Sequence, residues 1–286
     1  MISIKLNKYQ LEIYEKLGAT TNSELSYTAI KNVLKNITDF RYDIYLQGSY
    51  ANKTNIYGDS DVDVIIELKD IFGHNINKLP KEDQDKFNNK YGDSKISITD
   101  FYSSVLNVLN DSNYNYQRKN KCLKISGTRL NVDLVVCNSY RNYTRYPYFV
   151  EGVKVYTLNN ENVISYPKLH KENGALKNNQ ANGNFKKTVR IFKNIKSYLI
   201  SNNRISESIV SSYFIECLLY NVHDKYYLKN NVEERFSEVL NYLLKEPNFQ
   251  IMKTQDKQNN LFGTSNQQWD INYASKFLDE INSLNR

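Results

Sequence analysis

Cysteine, proline and glycine are all scarce in this chain of 286 residues, and long apolar runs are missing. With only 10 glycines and 4 prolines, a collagen-like protein is excluded. No stretch approaches the roughly 18 apolar residues that a spanning helix needs, which excludes a membrane-spanning class. The N-terminus has neither a continuous apolar stretch nor a small-residue cleavage site, so no signal or transit peptide is expected.

The three cysteines are odd in number and lie among apolar and tyrosine residues. Cys122, Cys137 and Cys217 are therefore interpreted as reduced, buried thiols of a cytoplasmic protein. The three histidines are widely separated, and no Cys/His spacing matches a zinc site. The sequence thus predicts neither a disulfide nor bound zinc.

Positive charge exceeds negative charge, with 38 Lys and Arg against 31 Asp and Glu and a net charge of +7. This excess favours anionic partners such as nucleotides or nucleic acid, and the alternative is a merely basic surface. The 24 tyrosines and 12 phenylalanines supply ample core material, which argues against a disordered chain.

Hydrophobic periodicity divides the chain into a mixed half and a helical half. The first half has predicted helices at 22–38 and 96–110, strands at 42–48, 61–68, 121–127 and 131–138, and a loop at 50–60. After an unassigned stretch at 140–180, the predicted helices are 185–200, 207–223, 231–245 and 272–284. The expected fold class is α+β, with a mixed-sheet core at 1–165 and a helical domain at 166–286. The N-terminal helix is a candidate to pack on the helical half, and a cleft between the halves is the expected ligand site.

Two strands carry aspartates in apolar surroundings, and a Gly-Ser pair precedes them. Asp61 and Asp63 alternate with valines, so both carboxylates project from one face of a strand. Asp133 recurs in a similar apolar strand, and three carboxylates converge if the two strands are neighbours. Such carboxylates repel unless a cation lies between them, so two Mg²⁺ or Mn²⁺ ions are the expected occupants. Gly48 would let the backbone approach a phosphate, and Ser49 would add a hydroxyl donor.

An Asp-Val-Asp strand taken alone is more often a solvated polar face than a metal site. The full pattern is harder to explain as a solvated polar face. It combines a strand ending in Gly-Ser, a strand with alternating aspartates and a later strand with a single aspartate. Glu67 and Asp59, which flank the acidic motif, are interpreted as surface or cap residues.

This pattern resembles the nucleotidyltransferase superfamily with the DNA polymerase β-like fold. The resemblance is narrower to bacterial cGAS/DncV-like nucleotidyltransferases, and within them to clade E. It rests on Gly48-Ser49, Asp61-Val62-Asp63 and Asp133, on YPKLHKENG at 166–174, KN at 177–178, FK at 185–186, VRIFKN at 189–194, SSYFIECLL at 211–219 and LFG at 261–263.

The resemblance implies a metal-dependent enzyme that joins two or more NTPs (ATP, GTP or UTP) and releases pyrophosphate. The usual product is a cyclic oligonucleotide, most often a cyclic dinucleotide, that activates a separate effector protein in CBASS anti-phage defence. Family members gated by double-stranded DNA carry a zinc-bearing insert, for which this chain has no ligands. Activity without an obligatory DNA activator is therefore expected.

Site roles also follow from the resemblance. Asp61, Asp63 and Asp133 are expected to hold the metals, and Gly48 and Ser49 to cradle the donor triphosphate. The remaining nucleotide-binding candidates are Lys193, Ser212, Tyr213, Arg190 and Asn173.

Each candidate in the helical half has a structural alternative. Lys193 and Arg190 lie in a predicted helix whose basic stripe opposes an apolar side, and a solvated basic face is the alternative. Tyr213 would stack on a base, with core packing as its rival. Asn173 offers base contacts, but a turn residue before a glycine is the better default. His170 has either a ligand contact or a structural role.

Three other activities are compatible with the same motifs. An RNA-tailing enzyme would require an RNA acceptor, and a small-molecule nucleotidyltransferase would require its own acceptor. A non-catalytic RNA-binding protein on the same fold is the alternative of another class. The presence of all three aspartates counts against that last alternative.

Overall fold

The computed structural model describes residues 6–58, 61–92, 94–159, 161–245 and 248–284. The first elements are α1 (Lys8–Tyr14), α2 (Thr21–Leu34), β1 (Tyr42–Leu46), α3 (Gly48–Asn52), β2 (Asp61–Asn75), α4 (Lys81–Lys90), α5 (Ile98–Asn110), β3 (Asn115–Arg118), β4 (Leu123–Ser126), β5 (Asn131–Arg145), β6 (Tyr148–Tyr156) and β7 (Asn162–Ser165). They are followed by α6 (Pro167–Gln180), α7 (Asn184–Ser201), α8 (Ser212–Tyr220), α9 (Val232–Leu244) and α10 (Ile271–Leu284). A mixed half followed by a helical half confirms the predicted α+β class.

The chain forms two compact units, and the path of the backbone passes between them more than once. The sheet unit comprises Thr20–Ala51 and Ser60–Leu169, and the helical unit comprises Met1–Ala19, Asn52–Asp59 and His170–Arg286. The predicted border lay between residues 165 and 166, whereas the observed one lies between Leu169 and His170. The first stretch contains α1, the N-terminal helix that was a candidate to pack on the helical half, whereas the stretch at 52–59 is a further difference from the predicted division.

The sheet unit is built on a seven-stranded mixed sheet. Five strands follow the order β1-β2-β5-β4-β3, while β6 pairs with the later part of β5 and β7 pairs with β6. The β2–β5 pair is parallel, and the other pairs are antiparallel. Because β2 and β5 lie side by side, residues near their starts are brought to the same end of the sheet.

Alternation along β2 decides which side chains face the helices. Val62, Val64 and Ile66 are fully buried in a core that they share with α2 and α5. Successive side chains of a strand point to opposite faces. Asp61 and Asp63 therefore lie on the face of the sheet that does not carry these two helices.

The helical unit has its own apolar core, centred on α7. Val189, Phe192 and Ile195 are fully buried there, as the helical spacing predicts. Leu6 and Leu11 belong to the same core, and α1 contacts α7 and α9. Within the described part of the chain, no helix is long and apolar enough to cross a membrane.

Several elements differ from the sequence patterns. Helix α1 has only 7 residues, β3 has 4, and the polar α4 buries a single side chain, so none gives a strong periodic signal. Strands β2 and β5 each extend to 15 residues. The predicted loop at 50–60 begins inside α3, and the unassigned 140–180 region contains β6, β7 and α6.

Candidate active site

Asp63 and Asp133 lie opposite each other on adjacent strands. They are partners in the parallel register of β2 and β5, and Asp61 is paired in the same register with Asn131. Neighbouring strands are separated by about 4.8 Å, so carboxylates at paired positions on one face are neighbours. The condition on which the convergence of the three carboxylates depended, that the two strands be neighbours, is therefore met.

Gly48 lies directly against the carboxylate of Asp63. Its φ is +64°, in the left-handed region, and a Cβ atom added there would lie 2.0 Å from Asp63 Oδ2. Any other residue would therefore collide with the carboxylate as well as strain the backbone. Ser49 follows in α3 and is half-buried. The Gly-Ser pair and the aspartates thus form one local arrangement within the sheet unit.

Asp61 already has cationic and amide partners. Its Oδ2 accepts a hydrogen bond of 2.8 Å from Lys124 Nζ, and its Oδ1 lies 3.4 Å from Asn131 Nδ2. Lys124 is on β4, where it is the register partner of Asp133. The ammonium group of Lys124 therefore lies close to two of the three carboxylates, those of Asp61 and Asp133, and partly offsets the repulsion between them.

The surroundings of Asp133 disfavour a negative charge on its carboxyl group. Burial and the negative charge of Asp61 raise the pKa of the Asp133 carboxyl, against the opposing effects of Lys124 and a hydrogen bond with the Cys122 thiol. Its Oδ1 atom is buried, and among the described residues it has no hydrogen-bond partner. A carboxylate with an unsatisfied oxygen beside like charges is a candidate ligand for a cation.

The donor set suits Mg²⁺ or Mn²⁺, because all three side chains offer carboxylate oxygens. The unpaired oxygen of Asp133 and the raised pKa of its carboxyl both fit a residue that can hold a cation. The described residues contain no group of three or more His, Cys, Asp or Glu side chains already arranged around one metal position. Asp61 is held on Lys124 instead, so a bound ion would compete with that ammonium.

Lys124, Cys122 and Asn131 were not identified from the sequence, although each contacts an aspartate of the site. Lys124 could have been found from its position, because a lysine in a short strand just before an aspartate-bearing strand suggests cross-strand pairing. Cys122 was expected to be buried, but it is half-exposed, whereas Cys137 and Cys217 are buried. Burial, together with the charge of Asp133, raises the pKa of Cys122 to about 11.

Arg190 and Lys193 are buried in α7, with 8% and 2% of their surface exposed. Arg190 donates hydrogen bonds of 2.7 Å to the carbonyls of Glu15 and Lys53, and Lys193 Nζ donates one of 2.9 Å to the carbonyl of Thr54. A solvated basic face is therefore wrong for these two residues. Contact of either with a phosphate stays a prediction.

Glu216 of α8 is a buried carboxylate at the centre of a polar cluster in the helical unit. It accepts hydrogen bonds from Thr54 Oγ1 at 2.6 Å and Asn52 Nδ2 at 3.1 Å, and it lies 3.0 Å from His170 Nε2. Burial opposes ionisation, but the hydrogen bond with His170 and the charge of Lys193 help lower the pKa of Glu216 below its ordinary value. His170 is thus a buried partner of Glu216, which favours its structural role.

Tyr213 belongs to an aromatic stack of the helical unit. Its ring lies 5.0 Å from that of His170 and 5.7 Å from that of Trp269, both in stacked geometry, and its hydroxyl bonds Asp256 at 3.2 Å. The residue is still 39% exposed. Ser212 precedes it as the half-buried first residue of α8. Base stacking on Tyr213 stays a prediction, since packing already occupies part of the ring.

Asn173 lies inside α6 and is not the turn residue that its neighbouring glycine suggested. Its Nδ2 donates a 2.8 Å hydrogen bond to the carbonyl of Gln255, and the side chain is half-buried. Gly174 allows this contact, because a Cβ there would lie 2.4 Å from Gln255 Nε2. A role for Asn173 in base recognition stays a prediction.

Glu67 is fully buried, so its interpretation as a surface or cap residue is wrong. It accepts hydrogen bonds of 2.7 Å from Lys69 and Ser139 and one of 3.0 Å from Tyr45, and Lys168 Nζ lies 3.2 Å away. Burial disfavours its charge, but these donors and cations lower the pKa of Glu67 below its ordinary value. The other flanking residue, Asp59, lies outside the described residues.

Comparison with known proteins yields a family match and close relatives. The family model for the cGAS/DncV-like nucleotidyltransferase C-terminal helical domain matches residues 172–285. The cyclic nucleotide synthase CdnE01 of Staphylococcus haemolyticus is 37% identical, with 96% of this chain and 97% of the relative covered.

Solved structures agree with this match. The Rhodothermus marinus CdnE c-UMP-AMP synthase, solved with Apcpp and Upnpp, superposes with a TM-score of 0.89 at 37% identity, covering 98% of this chain and 96% of that one. The Elizabethkingia meningoseptica CdnE cyclic dinucleotide synthase, solved with GTP and Apcpp, has a TM-score of 0.81 at 25% identity, covering 98% and 100%.

Proposed function

Because this chain belongs to the cGAS/DncV-like nucleotidyltransferase family, we propose that it joins NTPs into a cyclic oligonucleotide, in the first instance a cyclic dinucleotide. Pyrophosphate is the leaving group of each joining step. The observation that carries the proposal is the register pairing of Asp63 with Asp133, next to Asp61 and directly against Gly48. The relatives with nucleotide analogues in their structures support NTPs as the substrates.

In each joining step, a ribose hydroxyl oxygen attacks the α-phosphorus of the donor NTP, and the bond to the β-phosphate oxygen breaks. Asp133 is assigned as the acceptor of the hydroxyl proton, because its raised pKa makes the carboxylate a stronger base. Gly48 and Ser49 are assigned to the donor triphosphate, which the backbone can approach where a Cβ is missing.

Asp61, Asp63 and Asp133 would hold Mg²⁺ or Mn²⁺. Such ions, when bound, neutralise charge on the phosphates and lower the pKa of a coordinated hydroxyl. The unpaired Oδ1 of Asp133 supports this assignment. Lys124 is assigned a further part, because its ammonium keeps Asp61 compensated in the free protein and must release it for a divalent ion.

In the helical unit we assign five residues to nucleotide binding: Lys193, Arg190, Ser212, Tyr213 and Asn173. The two cations and the two residues assigned to a base act in different ways. Lys193 and Arg190 hold the carbonyls of Thr54 and Lys53, so their main effect is to fix that segment, and a phosphate contact needs one of these bonds to open. The exposed part of Tyr213 and the remaining carbonyl oxygen of Asn173 are left for a base.

The proposed setting is CBASS anti-phage defence, with the cyclic product acting on a separate effector protein and no obligatory DNA activator. The names of the relatives support cyclic nucleotide synthesis, which is the activity that this setting requires. ATP and UTP are the first pair to test, because the Rhodothermus marinus relative is named a cyclic UMP-AMP synthase.

The experiment is a product assay with purified protein, Mg²⁺ or Mn²⁺ and all four NTPs, labelled at one α-phosphate at a time. After phosphatase treatment, products are resolved by chromatography and mass spectrometry, with and without an RNA acceptor. A phosphatase-resistant cyclic species that Asp61→Asn/Asp63→Asn does not form supports the proposal. Extension of the RNA alone would replace it with a tailing activity, and no transfer under either condition would favour a binding protein.

A further inference from the structure

A cavity of about 360 Å³ lies in the sheet unit, beside β5 and away from the carboxylates. It exists because β4 pairs with β5 only as far as Leu134, whereas the pairing of β6 begins at Cys137. The edge of β5 between these positions is left without a neighbouring strand. The first turns of α5, with Tyr102, close the cavity on the helix side.

The apolar floor of the cavity is on the opposite face of the sheet from the aspartates. Leu134 and Val136, which line it, alternate along β5 with Asp133 and belong to the core shared with α2 and α5. The cavity is therefore distinct from the candidate active site. Its volume lies within the range of small-molecule sites in proteins.

All the charged residues that line the cavity are cations. Arg118, Lys119 and Lys121 are exposed cations at the rim, and none forms an ion pair with another described residue. No carboxylate is among the lining residues. The floor is apolar and aromatic, and the guanidinium of Arg118 lies 5.4 Å from the ring centre of Tyr102. Cations above an apolar, aromatic floor match a flat aromatic ligand that carries a negative charge.

We propose that this cavity binds a small aromatic anion, about the size of a mononucleotide, and that the bound anion acts on Asp133. The link is Cys122, which lines the cavity and lies two residues before Lys124, the register partner of Asp133 on the neighbouring strand. Leu134, another lining residue, follows Asp133 directly on β5. A ligand that displaces Cys122 or Leu134 also displaces the carboxylate of Asp133. Small displacements of catalytic groups have large effects on the rate of reaction.

Binding is tested with anilinonaphthalene sulfonate, an aromatic anion whose fluorescence reports binding, in the presence of a saturating non-hydrolysable ATP analogue. We expect saturable one-to-one binding, weakened about tenfold or more in Lys119→Glu/Lys121→Glu because two attractive charges become repulsive. The matched control is Lys78→Glu/Lys95→Glu, which reverses two exposed charges of the same unit outside the cavity. Equal affinity in the two double variants would overturn the proposal.

Two further arms separate the parts of the proposal. Phenylnaphthylamine, the uncharged counterpart of the probe, should bind at least about tenfold more weakly, and equal binding would remove the anion preference.

The effect on Asp133 rests on the proposed function. We expect the sulfonate to slow cyclic product formation in wild type and in the control, but not in Lys119→Glu/Lys121→Glu. Unchanged rates would overturn the coupling, whereas no product without the probe would count against the proposed function and leave the binding result to decide the site.

Discussion

Replacing Gly48 by alanine tests the close contact between the Gly-Ser turn and the acidic motif. The φ of +64° should cost about 1–2 kcal/mol of folding free energy for any residue with a Cβ atom. The new methyl group would also lie 2.0 Å from Asp63 Oδ2, so the carboxylate must move by about 1 Å or more to reach a normal contact. A displacement of that size at a catalytic group costs roughly 10²-fold in rate. We therefore expect a modest loss of stability and a large loss of activity.

Gly183→Ala is the matched control. Its φ is +80°, but nothing lies within 4 Å of the added Cβ, so it carries the backbone strain without the collision. Chemical denaturation should show similar losses of stability for the two variants, while the rate of nucleotide joining should fall only for Gly48→Ala. Equal activity in the two proteins would refute the reasoning that Gly48 makes room for Asp63.

Two further predictions concern buried and half-buried side chains. Glu67→Gln should lower the free energy of unfolding by about 3 kcal/mol near neutral pH, because it leaves Lys69 and Lys168 short of a buried counter-charge. Since the pKa of Glu67 is lowered from its ordinary 4.5, its charged form stabilises the fold above that value, and the advantage of wild type should shrink as the pH falls below 4.5 towards the pKa of the folded protein. Denaturation curves at neutral and acidic pH measure this, and a pH-independent difference would contradict it. Tyr213→Phe removes the hydroxyl with its bond to Asp256 but keeps the ring, and it should leave the KM for NTPs within about twofold, whereas Tyr213→Ala should raise the KM roughly tenfold or more. Equal KM values for the two variants would exclude a stacking role.

Alternation along strands allowed much of the sheet unit to be predicted. Val62 and Val64 alternate with Asp61 and Asp63, and period-two geometry forces the valines into the core and the aspartates to the other face. The register that sets Asp63 beside Asp133 could only be stated as a condition, because pairing between distant strands depends on the whole sheet.

Residues whose environment comes from distant elements were harder to predict. Glu67 follows the acidic motif on the same strand face, yet it is buried because Lys69, Ser139 and Lys168 compensate its charge. Lys193 could be recognised as part of a basic stripe, but its bond to the carbonyl of Thr54 joins positions far apart in sequence. Such partners become visible only when the chain is folded.

The division of the chain into units shows the same limit. The N-terminal helix was a candidate to pack on the helical half, but the place of Leu6 and Leu11 in that core depends on the apolar face that α7 offers. The change from strand patterns to helix patterns, by contrast, is a local property of the sequence, and the predicted border between residues 165 and 166 rests on it.

The central claim is that the paired carboxylates of the sheet unit form the site at which nucleotides are joined. Its most direct test compares Asp133→Asn with Asp39→Asn, an exposed aspartate of the same unit, in cyclic product formation from NTPs alone. The account predicts a product from wild type and from Asp39→Asn, and a rate at least about 10²-fold lower for Asp133→Asn. Equal rates in the two variants would contradict it.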